Sequence, residues 1–399
     1  MLRPGSFALT LLLALLTGIG PLSTDMYVPS LPAIGSALHA STEQVQLTIS
    51  SYLLGFATGQ ILYGPISDRL GRKPVIMVAL VLYGIGSIVC ATTQSIEMLA
   101  AVRFVQALGG AGAIVLARAV VRDLYSGVRA GRELSLMGAI TGIAPIIAPV
   151  IGGALQTLFG WRATFVVLVV FAGIVGSTAA RLLPETLKYP MAGPFSLTAI
   201  NTLYRLVLVH PGFLANLAIL TTTFIGLFAW ISGAPIVMQS ASYGLTPFAF
   251  GVTFAVVAAG YIAGTFIAAR VMMRLGLDRV IGIGSVAMAC GGLIMAAVVA
   301  LGLAHVLWFV GAMTIYLVGL GLAMPATMAG ALTPFPDRAG TASSVMGFTQ
   351  QFGAAITAAA VGFYLGHSAW PVASVVAIMG SVTFLVWLLT REVRVAALN

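Results

Sequence analysis

The sequence predicts an all-α integral membrane protein, with twelve transmembrane helices in two six-helix, pseudo-symmetric bundles. Three observations predict it. The 399-residue chain is 60% hydrophobic and 7% charged, with a mean hydropathy of +1.07, well above the roughly 45–50% apolar usage of soluble domains. Apolar runs recur along its whole length, and a run of about 20 residues crosses the hydrocarbon core of a bilayer. One long hydrophilic interruption, residues 184–210, divides the runs six and six. The predicted domains are an N-terminal bundle over 1–183, a linker over 184–210 and a C-terminal bundle over 211–399.

The spans fall near residues 7–37, 43–66, 73–93, 97–121, 133–157, 162–183, 211–238, 246–273, 279–301, 304–331, 339–365 and 369–390. The first follows Arg3 but does not read as a cleaved leader. It runs on through Asp25 and two prolines without a small-residue cleavage site, and eleven more spans follow. Asp25, in Leu22-Ser-Thr-Asp-Met-Tyr-Val-Pro-Ser-Leu-Pro32, is the only acid placed well inside a span. A carboxylate at depth is costly unless paired, hydrated or protonated, so such residues mark function. The expectation is proton exchange or substrate binding; a cap on a kinked helix or a permanent arginine pair is the structural alternative. Pro29 and Pro32 each remove a backbone donor, so a bend or break is expected there. Irregular backbone at membrane depth is tolerated where it lines a cavity.

Between the second and third spans, Gly64-Pro-Ile-Ser-Asp-Arg-Leu-Gly-Arg-Lys73 packs Asp68, Arg69, Arg72 and Lys73 into one short loop. The fourth span carries Arg103 in Val102-Arg-Phe-Val-Gln-Ala-Leu-Gly-Gly110, roughly 9 Å below its outer end at 1.5 Å per residue. Asp25 also lies toward the outer half of its span, so the two can approach each other. An arginine there stays charged and wants a partner, which leaves a coupling role and a buried structural ion pair as the readings. Gln106, almost one turn on, adds polar contacts. Arg118 and Asp123 close the same span at its inner end. Asp68, Arg72 and Asp123 are placed to form a charge cluster that holds helix ends together in one state. Each such pair is weak enough to open; solvated loop charge is the alternative. In the fifth span, Gly138 to Gly153 sets small residues among Pro145, Pro149, Gly152 and Gly153. Small faces let helices approach closely and would seal the path between the halves.

The second half has apolar spans with scattered Asn216, Trp230, Gln239, Tyr316, Gln350 and Gln351. The buried ionisable groups identified from the sequence are Asp25, Arg103 and Arg118, all in the first half. Coupling is therefore expected there, with the second half supplying much of a substrate wall. Arg69-Leu-Gly71 is echoed by Arg274-Leu-Gly276 at the equivalent junction of the second half.

Most of the 19 Lys and Arg residues fall at the termini and in the loops at 66–73, 122–132, 184–210, 270–279 and 337–338. The loops on the other side hold Arg162. That asymmetry puts both termini in the cytoplasm, and the formal net charge of +9 is mostly a topology signal. Basic residues dispersed over short loops do not make a nucleic-acid face. Cys90 and Cys290 sit in separate apolar spans and read as small hydrophobes, with no disulfide, metal or redox role. His39, His210, His305 and His367 lie singly near span ends, without metal-site spacing.

Several of these motifs together resemble the drug:proton antiporter group of the major facilitator superfamily, in its bicyclomycin-resistance (Bcr/CflA) branch. Leu22 to Pro32 resembles that branch's first-helix motif, Gly64 to Lys73 the superfamily loop motif, and Arg103-Phe-Val-Gln106 the fourth-helix motif. Gly142 to Gly153 is similar to the fifth-helix antiporter motif, with Ala144 and Ala148 where glycines are usual. Arg338-Ala-Gly-Thr-Ala-Ser-Ser344 also looks like this branch. The resemblance implies a twelve-helix exporter of small drugs in a bacterial inner membrane, working by alternating access. It implies proton entry as the energy source, no cofactor, lipid as the surroundings, and nothing that demands more than a monomer. Asp25 would take the proton and substrate role and Arg103 the coupling role. Some relatives carry a second acid deeper in the first helix, where this chain has Thr17 and other uncharged residues; that bears on divalent cations and on a two-proton stoichiometry.

The first functional reading is a proton-coupled exporter of neutral or monocationic, partly apolar compounds. Tyr27, Tyr52, Phe224, Phe228 and Trp230 suit a loosely specific apolar pocket, with Gln106, Asn216 and Gln350 as polar candidates. The second is a carrier of a natural metabolite. A sugar or nucleotide site needs more buried hydrogen-bonding groups than the spans offer, because unmet polar groups are costly. The third is a membrane-embedded enzyme, which needs convergent acid, base or metal groups, and here they are scattered.

Overall fold

The structure is a computed structural model that describes residues 6–125, 127–187, 204–303, 305–335, 338–365 and 368–397. Most of the predicted linker, with Lys188, Tyr189, Pro190 and Pro194, lies outside the described residues, as does His367. The helices are α1 (Phe7–Asp25), a 3-10 turn (Val28–Ser30), α2 (Leu31–Ala37), α3 (Thr42–Leu70), α4 (Arg72–Thr92), α5 (Ile96–Leu124), α6 (Gly127–Thr141), α7 (Ala144–Phe159) and α8 (Arg162–Leu182). They continue as α9 (Pro211–Gln239), α10 (Pro247–Leu275), α11 (Leu277–Ala300), α12 (Val306–Leu332), α13 (Ala339–Leu365), α14 (Trp370–Leu389) and α15 (Arg391–Ala396).

Among the described residues, ten helical stretches are long and apolar enough to cross a membrane, the first running Phe7–Ala37 through the 3-10 turn and another Arg129–Phe159. Helices α3 and α13, at 29 and 27 residues, are also long enough, but Gln46 and Gln60 in one and Gln350 and Gln351 in the other dilute their apolar character. With these two, the helical stretches fall at the twelve predicted positions.

The local chemistry explains the starts and breaks. Ser41 caps α3 by accepting from the Gln44 amide at 3.2 Å while its own N–H donates to Gln44 Oε1 at 2.9 Å, a reciprocal capping box. Ser95 caps α5, and His210 and His305 cap α9 and α12 through Nδ1, so two of the histidines serve helix ends. The first span breaks after Asp25, where Pro29 and Pro32 enter the 3-10 turn and α2. The fifth span is broken as well, between Thr141 and Ala144, which the sequence reading took as continuous. Pro145 sits in the first turn of α7, and it cannot donate back into α6.

Contacts divide the chain into two compact units: residues 1–194 with 246–251, and residues 195–245 with 252–399. In the first, α5 packs against α1, α3 and α4. In the second, Phe213, Leu217 and Leu220 of α9 pack with Ala331 of α12 and Ala342, Val345 and Met346 of α13. Ile219 of α9 packs with Ala268 of α10, Val280 and Ile281 of α11, and Leu322 and Ala326 of α12.

Three expectations about buried charge are corrected. Arg118 is surface-accessible rather than buried. Glu133 is a second acid inside a span, 8% exposed; it escaped notice because it sits at the boundary drawn for the fifth span. Buried charge is not confined to the first half either. Arg394 on α15 is 2% exposed and donates to Asp278 Oδ1 at 2.7 Å, and Arg391 reaches Asp278 Oδ2 at 3.3 Å. Cys90 is buried, whereas Cys290 is exposed on its helix.

Candidate functional site

Asp25 is the last residue of α1 and is 6% exposed. Its carboxyl accepts at Oδ1 from the Thr24 hydroxyl at 3.1 Å. Among the described residues no ion pair reaches it. Arg103 does not pair with Asp25; it reaches the same turn of α1 by donating from Nη2 to the Ser23 carbonyl at 3.2 Å. Its Nη1 donates to Gln106 Oε1 at 2.7 Å. The guanidinium carbon lies 4.4 Å from the Tyr27 ring centroid and 4.0 Å from that of Tyr52, with Phe165 at 5.8 Å. Arg103 is 0% exposed, and its Nε–H has no hydrogen-bond partner among the described residues. Arg103 is buried, as expected, but aromatic faces and a freed main-chain oxygen hold it in place of the Asp25 carboxylate.

Two helices fix that arginine in turn. Gln106 Nε2 donates to Ser87 Oγ at 2.8 Å, and Ser87 Oγ donates to the Tyr83 carbonyl at 2.8 Å. The Tyr83 hydroxyl meets Ser23 Oγ at 2.6 Å. A closed ring of hydrogen bonds therefore links α1, α4 and α5 around the turn that carries Asp25. Tyr27 is tied by its hydroxyl to Thr48 Oγ1 of α3 at 2.6 Å. Sequence reasoning missed Ser23, Tyr83, Ser87 and Phe165. The available signal was Tyr83 and Ser87, one turn apart in an otherwise apolar helix.

Tyr27, Tyr52 and Gln106 are thus brought together with Arg103 in the first unit. The candidates of the second unit are not gathered in the same way. Phe224 and Phe228 meet in a tilted arrangement with centroids 5.1 Å apart, and Trp230 packs on Phe309 at 5.3 Å. Asn216 lies fourteen residues before Trp230, about 21 Å along the helix axis. It donates to the Gly212 carbonyl at 2.9 Å, while its Oδ1 has no partner among the described residues. Gln350 on α13 is 8% exposed, with Nε2 likewise unpartnered.

The small face of α7 meets the same turn. A Cβ on Gly152 would collide with the main chain of Met26, and one on Gly153 with the Pro247 carbonyl. Gly152 is therefore what lets α7 lie against the break beside Asp25. Pro149 and Gly152 are buried in this face, and Pro145 opens α7.

At the opposite end of the first unit, Arg72 bridges two acids. Its Nη1 lies 2.6 Å from Asp68 Oδ1, and its Nε 2.9 Å from Asp123 Oδ2. Arg72 also donates to Ser67 Oγ at 2.6 Å. The predicted cluster of Asp68, Arg72 and Asp123 is thus seen, internal to one unit. Arg69 and the Lys73 side chain are half-buried beside it, and Arg118 takes no part. The cluster has one more acid than the sequence suggested. Glu185, just beyond α8, accepts from the main-chain N–H groups of Arg72 and Lys73 at 3.0 Å each, an anion on the positive end of α4. It also accepts from Thr186 and Leu187 N–H at 2.8 Å, and the Thr186 hydroxyl donates to Asp123 at 3.0 Å. Partial burial pushes the Glu185 carboxyl up, but the four N–H donors outweigh it and hold it below the usual carboxylate range. Gly71 has φ +92°, which favours glycine, and a Cβ there would lie 2.6 Å from Glu185 Oε2. No local pattern marks Glu185, because it acts 112 residues from its partner Lys73.

The family model described as Major Facilitator Superfamily matches residues 13–356. The chain is 29% identical to Multidrug resistance protein D of Escherichia coli, covering 97% of each. It is 30% identical to the Bicyclomycin resistance protein homolog of Haemophilus influenzae, covering 86% of each. Among solved structures, a D-xylose-proton symporter superposes with a TM-score of 0.76 at 15% identity, over 95% of this chain and 98% of that one, a likeness of fold alone. With a family model spanning most of its length and a matching all-helical fold, this chain belongs to the Major Facilitator Superfamily.

Proposed function

We propose that this multi-pass membrane protein is a drug:proton antiporter, exporting small, partly apolar antibiotics by alternating access, with Asp25 as the group that carries either the proton or the substrate contact. The observation that carries the reading is a buried carboxyl without a cationic partner at a helix break, in a turn of α1 whose Ser23 carbonyl a caged arginine holds. An unpaired carboxylate in apolar surroundings is costly, and either a proton or a bound polar substrate removes that cost. The two occupants therefore compete for one group, which is what exchange transport requires. Arg103, with a spare N–H, supplies a fixed positive charge and a donor next to it. The relatives named for multidrug and bicyclomycin resistance, and one named Chloramphenicol resistance protein in Pseudomonas aeruginosa, 32% identical over 85% of this chain, support the substrate class. The proton gradient is the energy source, no covalent step and no cofactor is invoked, and a monomer suffices. The basic loops support an orientation with both termini in the cytoplasm of a bacterial inner membrane and the Asp68–Arg72–Asp123 cluster at the inner end.

The test is a susceptibility panel in an efflux-deficient bacterium expressing the chain or its Asp25→Asn form. Bicyclomycin, amphenicols, sulfonamides, tetracyclines and cationic dyes belong in it. Resistance that disappears with Asp25→Asn is expected. Absence of any resistance, with the protein present in the membrane, would turn the assignment to a carrier of a natural metabolite.

A further inference from the structure

Glu133 is a buried acid that the proposed exchange at Asp25 leaves unused. It projects from α6 against α1, where the Thr10 hydroxyl donates to its Oε2 at 2.7 Å. Glu133 and Thr10 are 8% and 5% exposed. Helices α1 and α5 pack against α6. Helix α1 brings no charged side chain other than Asp25. The end of α5 brings Arg118, Arg122 and Asp123, and α6 itself carries Arg129 and Arg132. Among the described residues none of these forms an ion pair with Glu133: Asp123 is held by Arg72, and Arg129 lies 4.9 Å over the Tyr125 ring.

The face of α1 between the two acids is polar at regular intervals. Thr10, Thr17 and Thr24 are spaced by seven residues, two turns or about 10 Å apart and nearly eclipsed on the helix. Thr24 donates to Asp25, and Thr10 donates to Glu133. Midway, Pro21 lies inside α1, so the Thr17 carbonyl loses the N–H that would satisfy it. Gly18 lies two turns from Asp25 on its face, and a Cβ there would meet nothing within 4 Å. Between Thr17 and Thr24 the same face carries Gly20, Pro21 and the freed Thr17 carbonyl, and between Thr10 and Thr17 it carries buried Leu13 and Ala14. A buried water takes about three hydrogen bonds to polar groups, and the freed Thr17 carbonyl and the threonine oxygens are the acceptors this face offers.

We propose that Glu133 is the proton-release carboxylate of this transporter, the inner terminus of a path that runs along the Thr10–Thr17–Thr24 face of α1 from Asp25. The proposal rests on Asp25 being the proton-exchanging group and on the inward orientation given above. The protonated Asp25 carboxyl gives up its proton to water on this face. The Glu133 carboxylate accepts a proton from the near end of that path, then gives it to cytoplasmic water. One proton leaves Asp25, one reaches the cytoplasm, and both carboxylates end ionised.

The experiment uses the full chain in liposomes and chloramphenicol as the probe. It measures accumulation driven by a pH gradient, and one-for-one exchange at equal pH. Glu133→Gln is expected to lose gradient-driven accumulation while keeping exchange, because exchange needs no proton release. Thr10→Val removes the hydroxyl that meets Glu133 and should slow gradient-driven accumulation while keeping exchange; accumulation at the wild-type rate would take Thr10 out of the path and count against the proposal. Wild-type accumulation that ignores the gradient would break the coupling reading itself. A coupled wild type with an equally coupled Glu133→Gln variant would overturn this proposal alone. If Glu133→Gln loses both activities, Glu133→Asp decides: restored accumulation supports the relay, and failure to restore it overturns it.

Discussion

Arg103 is held by two tyrosine rings, a glutamine amide and a main-chain carbonyl, with no carboxylate on it. Contacts of that kind fix the guanidinium as a planar object as well as a charge, so lysine is no substitute. Arg103→Lys and Arg103→Ala should both abolish gradient-driven efflux. Arg162→Ala should leave it near normal, because Arg162 is engaged with the Thr93 carbonyl and the Trp161 ring; efflux assays at matched expression decide, and equal effects would remove any special role for Arg103. Tyr83→Phe deletes one hydroxyl from the ring around Ser23. Loss of about 1 kcal/mol, the usual net worth of such a bond, and slowed transport are expected, read from thermal unfolding in detergent and initial efflux rates. The sequence made Asp25 and Arg103 legible because charge is rare in apolar spans. It could not show that they remain unpaired, since partner choice depends on which rings and carbonyls neighbouring helices bring to the same depth.

At the scale of elements, glycines set how close the helices come. Gly152→Ala would drive a Cβ into the Met26 main chain, where no flexible side chain can yield. Overpacking of this kind costs roughly 1–3 kcal/mol and here would shift the turn beside Asp25. A lowered melting temperature together with impaired efflux is expected, and unchanged values for both would mean that α7 accommodates freely. Glu185 caps the start of α4 from beyond α8. Its carboxyl is held below the ordinary value of 4.5, so its stabilisation is fully present above that value and is lost as pH falls through the depressed one. Glu185→Gln should therefore cost about 1 kcal/mol, as loss of a helix N-terminal acceptor does, equally at mildly acidic and mildly alkaline pH. Melting curves across that range test it, and a cost that changes there would show that another group titrates in the cluster. The loop motif Gly64 to Lys73 was readable from its residues, but the reason for Gly71 was not, because the carboxylate it makes room for arrives from beyond α8.

At the scale of the molecule, the two units repeat a device with different chemistry. In the first, Glu185 beyond the last helix grips the opening turn of α4. In the second, Arg394 on the short α15, just after α14, grips Asp278 in the opening turn of α11. Both follow a positive-φ glycine, Gly71 or Gly276, and the repeated Arg-Leu-Gly triplets were the visible trace of this in the sequence. Orientation is tested with single cysteines at Arg132 and Leu303 in a chain lacking Cys90 and Cys290. The first should react only with reagent inside the cell and the second from outside, and the reverse would invert the topology. Exchange transport requires Asp25 to hold either a proton or substrate. The most direct measurement is proton release from purified protein in weakly buffered detergent on addition of chloramphenicol. The wild type should release protons on binding and Asp25→Asn, folded by its melting curve, should release none. Equal release from both would contradict Asp25 as the exchanging group.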